Sequence, residues 1–142
     1  MISILSDRTT QGSQDAGRLV LRLAVAIVLL FHGVAKLKNG VAWIADPLAD
    51  LGLPAFISYG AYLGEVVAPL LMIVGYKVRL AALVIVGNMS MVLLLAHRKD
   101  VFAINEGGGG WAVELQALIL FGALAVFLLG SERFVIGGSR SS

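Results

Sequence analysis

A few polar side chains sit where apolar sequence leaves them little water. His32 and Lys36 close one hydrophobic run, Glu65 lies inside a second, His97 ends a third and Glu114 opens a fourth. A carboxyl group beside an imidazole can take up and release a proton. A lysine opposite a carboxylate lowers the cost of burying both. Ionisable groups in such surroundings usually face a bundle interior or a cavity. Their spacing is helical. His32 and Lys36 are four apart and share a face. Ser58, Tyr62, Glu65, Pro69 and Met72 recur at threes and fours, as do Trp111, Glu114 and Leu118. One polar stripe per helix is what a shared interior pocket needs.

Each residue also has a plainer reading. Lys36 could reach the interface, His97 could cap its helix and Glu114 could simply be solvated. Asn88 reads as a helix–helix hydrogen bond, and His32 could serve the same end. Glu65, deepest in its run, has the least room for such a reading. Pro69 lacks the N–H that would bond the Glu65 carbonyl, so a kink is expected at that carboxyl. Gly60 and Gly64 form a G-x-x-x-G pair that lets a neighbour approach closely. That neighbour is a helix of the same chain or a second copy in a homo-oligomer. His32, His97 and the two glutamates lack compact ligand spacing, so no metal is expected.

The elements that must position these groups follow from composition. Of 142 residues 58% are hydrophobic and 14% charged, and the mean hydropathy is +0.90. That is too apolar for a water-soluble globular enzyme and the opposite of a disordered chain. There is no cysteine, which excludes thiol chemistry and thiolate-held clusters within the chain. The net charge is +2 with no basic stripe, so nucleic acid is not an expected partner. The expected partner is a lipid bilayer. A membrane-crossing helix needs roughly 20 apolar residues, and the runs 18–37, 56–75, 78–97 and 111–130 qualify.

The fold expected is therefore all-α: a four-helix transmembrane bundle, 18–130, between an N-terminal tail, 1–17, and a C-terminal tail, 131–142. In the longer connection, Val41, Ile44, Ala45, Leu48 and Leu51 have helical spacing beside Trp43, which predicts a short interfacial helix between helices one and two. The two-residue link at Tyr76 and Lys77 forces an antiparallel hairpin of helices. The four glycines at 107–110 read as a hinge rather than a phosphate nest. Arg8, Arg18, Lys77, Arg79, Arg133 and Arg140 fall on one side, against Lys36, Lys38, Arg98 and Lys99 on the other. The positive-inside rule then puts both termini in the cytoplasm, with Arg22 snorkelling to that face and the polar stripes in the outer half.

Three stretches taken in order resemble the DoxX-like family of small four-helix membrane proteins. FHGVAKL at 31–37 is similar to the family's His-Gly and Lys-Leu element at the end of helix one. GEVVAPLLMIVGYKVRLAAL at 64–83 resembles its glutamate-led second helix and basic turn. The G-x-x-x-E-L-x-x-L pattern at 110–118 resembles its acidic start to the last helix. The closing GSERFVIGG at 130–138 keeps only the outline of the family's ending. The resemblance implies a bacterial plasma (inner) membrane location and tilts the function toward quinone-linked redox work, as in relatives tied to thiosulfate:quinone oxidoreduction.

On this reading the chain is a redox-associated subunit with a quinone pocket. His32, Lys36, Tyr62, Glu65 and Glu114 would bind the ring, and Glu65 and His32 would do the proton chemistry. With no flavin or metal motif of its own, it would need a soluble or membrane redox partner. Two other functions fit the residues: a non-catalytic membrane scaffold or assembly factor, and a small proton-coupled transporter.

Overall fold

A computed structural model describes residues 2–130, with side chains from residue 8 onward. The expected C-terminal tail, with Arg133 and Arg140, lies outside the described residues. Helix α1 spans Ile2–Asn39. The polar segment expected as an N-terminal tail is thus helical and continuous with the first apolar run. No proline interrupts it, and an Asp15–Arg18 pair at 3.7 Å braces one turn. At about 1.5 Å per residue, α1 is nearly twice as long as a hydrocarbon core of roughly 30 Å is thick. Its polar first half must project beyond the bilayer. It ends where Gly40, at φ +78°, turns back and donates to the Lys36 carbonyl at 2.8 Å. Lys36 and Lys38 in the last turn suit the negative end of the helix dipole.

The short α2, Ala42–Asp50, follows as expected, pinned by the buried Leu48. Helix α3 covers Ala55–Val74 but changes pitch along its length. A 3₁₀ stretch, Ala55–Tyr59, leads through one α turn into a π turn, Leu63–Val67, and then a regular segment, Ala68–Val74. Pro69 explains the π turn. With no N–H at 69, the Glu65 carbonyl has no partner four residues on, and the helix widens to bonds five apart, such as Ala68 N–H to the Leu63 carbonyl. The kink expected at Pro69 takes this form.

Gly75, at φ +82°, and Lys77, at φ +45°, make the tight turn into α4, Val78–Leu95. The 96–113 connection is a hairpin rather than a hinge. Ile104 pairs with Trp111, and the Asn105 N–H donates to the Gly110 carbonyl at 2.8 Å. The glycines form its tip. Helix α5, Glu114–Leu129, closes the bundle. The helices α1, α3 and α4 are each long and apolar enough to cross a membrane, and α5 is a shorter apolar helix of 16 residues. Around the bundle the order is α1, α3, α4, α5, with α5 returning to α1.

Alanines recur in the interior beside Leu29, Met72 and Ile85, while many large side chains face outward. Ala26, Ala68, Ala81, Ala82 and Ala123 are buried, whereas Leu118, Phe121 and Leu128 are exposed. Lipid removes the drive to bury every large residue and rewards close packing through small ones. This rule turns α5 away from the expected Trp111, Glu114 and Leu118 face. Leu118 is 71% exposed while Val113, Ala117, Ala123 and Val126 point inward. Arg22 is 3% exposed and lies within the bundle rather than reaching its surface.

Candidate functional site

Two glycines set the geometry of the polar end, where α1 and α4 finish and α3 and α5 begin. A Cβ on Gly33 would overlap the Glu65 carbonyl, so α1 lies against the backbone of the π turn. A Cβ on Gly64 would overlap the Asn88 side chain, so α4 is equally close on the other flank. Only glycine allows both approaches. Gly64 is therefore covered by Asn88 of the same chain, while a Cβ on Gly60, four residues earlier, would meet nothing within 4 Å.

Between these contacts three helices meet on one oxygen. Lys36 Nζ donates to Glu65 Oε1 in an ion pair, and Asn88 Nδ2 donates to the same atom at 3.1 Å. Glu65 is 1% exposed. Its second oxygen, Oε2, is buried with no hydrogen-bond partner among the described residues. The Lys36 ammonium also stands over the Trp43 ring of α2, 5.8 Å from its centroid. Tyr62 supports the lysine from behind, its hydroxyl donating to the Lys36 carbonyl at 3.3 Å.

Lys36, Glu65, His32, Trp43, His97 and Gln116 line one cavity of about 300 Å³. In His32 the Nδ1 atom lies 3.1 Å from the Val28 carbonyl. A carbonyl only accepts, so Nδ1 carries the proton in this contact, and Nε2 is the nitrogen left without a protein partner. His97 is held by its own neighbours: Nδ1 faces Asp100 at 3.4 Å, and Gln116 reaches Nε2 at 3.5 Å.

The structure brings together three of the five residues expected to bind a ligand: His32, Lys36 and Glu65. Tyr62 buttresses Lys36 and does not line the cavity. Glu114 is apart from it. As the first residue of α5 it sits at the mouth of the bundle, lining a separate depression with Asn105, Glu106 and the glycine tip. Trp43 and Gln116 join the cavity although their spacing carried no signal. The one available hint was that Gln116 is a polar residue in an apolar run, two positions past Glu114. A second cavity, about 260 Å³ and mostly apolar, lies between α2, α3 and α4 and shares Trp43 and Val92 with the first.

A protein-family model described as DoxX matches residues 17–98, more than half of the chain. The chain belongs to the DoxX family. The DoxX match runs from within α1 to just past α4 and takes in Gly33, Lys36, Trp43, Gly64, Glu65 and Asn88. It stops before the hairpin and α5, so Glu114 and Gln116 lie beyond it. No curated protein and no solved structure matches the sequence. With its apolar helices, this DoxX protein is an integral membrane protein whose surroundings are a lipid bilayer.

Proposed function

We propose that this DoxX-family protein is a redox-associated subunit that binds the ring of a quinone-type lipid in the Glu65 cavity. One observation carries the reading. Glu65 lines the cavity and is almost wholly buried, tied at Oε1 by Lys36 and Asn88, and without a hydrogen-bond partner at Oε2 among the described residues. A buried polar atom left unpaired is costly, and a ligand that pairs with it recovers that cost. Glu65 is the proton-handling group. His32 is the second polar contact, offering Nε2 because Val28 holds Nδ1. The adjoining apolar cavity gives the tail of such a lipid a place beside Trp43. The bound ring supplies the electron chemistry. The chain itself lacks cysteine, and a partner protein exchanges electrons with the ring.

The same reading places the protein in the bacterial inner membrane with both termini cytoplasmic, on the balance of lysine and arginine between the two sides. The cavity then opens toward the outer half of the bilayer. A cysteine at Asn105 reacts with an impermeant thiol reagent in intact cells on this topology; labelling only after lysis would reverse it. The function is tested by titrating a short-chain quinone into detergent-purified protein. Saturable binding to the wild type, weakened in Glu65→Gln, is expected. Absence of saturable binding would remove the quinone reading.

A further inference from the structure

We infer that Gly60 and Gly87 keep open a groove for the hydrocarbon tail of the bound lipid, so that the site selects a ring carrying a long tail over a bare ring. The inference rests on the quinone reading above and concerns the part of the ligand outside the Glu65 cavity. Glycine weakens a helix, so each one inside an apolar span needs a reason. Gly33, Gly64 and Gly122 have one: a Cβ there would overlap a neighbouring helix. Gly60 and Gly87 do not. Neither has a positive φ, and a Cβ at either position would meet nothing within 4 Å. Both are exposed, and both line the cavity of about 260 Å³ between α2, α3 and α4.

The shape and chemistry of that cavity choose its occupant. It follows α4 from Leu95 to Val84, about 16 Å at roughly 1.5 Å per residue. Its volume is far too small for a helix of a second copy, which is about 10 Å across. One flexible chain suits it. Only Trp43, Ser58 and Asn88 among its lining residues carry polar side-chain atoms; Ser58 donates to the Ala55 carbonyl and Asn88 to Glu65. The groove shares Trp43 and Val92 with the ring cavity. A tail that leaves the ring cavity past Trp43 therefore enters an apolar groove, open to the bilayer along Gly60 and Gly87. A large side chain at either glycine would fill it.

The test titrates trimethyl-1,4-benzoquinone and its decyl derivative, by calorimetry, into detergent-purified, full-length wild type, Gly60→Leu and Gly87→Leu. Each ligand is compared with itself across the three proteins at one detergent concentration, so its partition into micelles cancels. Both variants are expected to weaken the decyl ligand by about tenfold, within the usual cost of overfilling an apolar site. The bare ring is expected to stay within about twofold of its wild-type affinity, as for substitutions that touch nothing else. Decyl binding unchanged in both variants, with the bare ring still bound, would overturn the tail groove alone. Loss of the bare ring in step with the decyl ligand would overturn selection by the tail. Saturable binding of neither ligand to the wild type would overturn the quinone reading as well. A second measurement needs no variant that must fold. A decyl tail ending in a diazirine, photolysed on the wild type, is expected to label the segments 57–63 and 84–96. Labelling confined to other segments would overturn the groove.

Discussion

Glu65 and Glu114 lie at the same end of the bundle, each on a helix that starts there, yet their surroundings have little in common. Glu65 is buried under Lys36 and Asn88, with glycines on α1 and α3 bringing three helices onto it. Glu114 is exposed at the first residue of α5, beside a glycine hairpin that leaves open space around Gly107 and Gly108. Glycine has opposite uses in the two places. At 33 and 64 it removes a side chain so that helices touch. At 109, with φ +69°, it lets the chain turn, and nothing presses on it. Charge in a membrane protein is therefore not enough to mark a site. What distinguishes Glu65 is that the packing of its neighbours depends on it.

The comparison can be broken most forcefully at the helix contacts. Gly33→Leu would drive a large side chain into the Glu65 carbonyl and the Val66 side chain. We expect no monodisperse protein on size exclusion in detergent. Normal recovery would mean that α1 and α3 are not held together here. The carboxylates come next. Lys36→Met or Glu65→Gln leaves one buried partner unpaired and should cost about 3–5 kcal/mol in detergent unfolding, with part regained in the double variant. Glu114→Gln should stay within about 0.5 kcal/mol, as exposed substitutions do. Equal losses for Glu65 and Glu114 would erase the distinction between them. Tyr62→Phe removes one hydroxyl bond to the Lys36 carbonyl and should cost about 0.5–1.5 kcal/mol, read as a lowered melting temperature. The smallest change expected is Gly107→Ala, within about 0.5 kcal/mol, since a methyl there meets only open space.

The architecture was legible in the sequence because bilayer thickness imposes a length on each apolar run. All four bundle helices and the short α2 could be read from run lengths and spacing alone. Pro69 signalled a local irregularity beside Glu65, since a missing N–H is a property of one residue. That Lys36 pairs with a buried carboxylate was readable from one lysine and two glutamates in the apolar runs; that the partner is Glu65 rather than Glu114 was not. Which other residues join them was not. Trp43 reaches Lys36 only because Gly40 turns α2 back over the end of α1, a direction set by tertiary packing. The facing of α5 was hidden for a related reason: the helix is apolar all round, so periodicity gave no vector. The polar stripe through Glu114 then pointed the wrong way, and the close packing of α5 through Ala117 and Ala123 decides it instead.

The π turn at Leu63–Val67 has a consequence for how this helix can change over generations. A π turn is an α-helix carrying one surplus residue, so it is a seam at which a residue can be lost without turning either flank. Elsewhere in α3 a deletion would swing everything beyond it by about 100° around the axis, at 3.6 residues per turn. Pro69 closes that escape. Shortening the seam while keeping the proline would push its ring into the carbonyl four residues back. A deletion in the seam is therefore accommodated only where the proline is replaced as well.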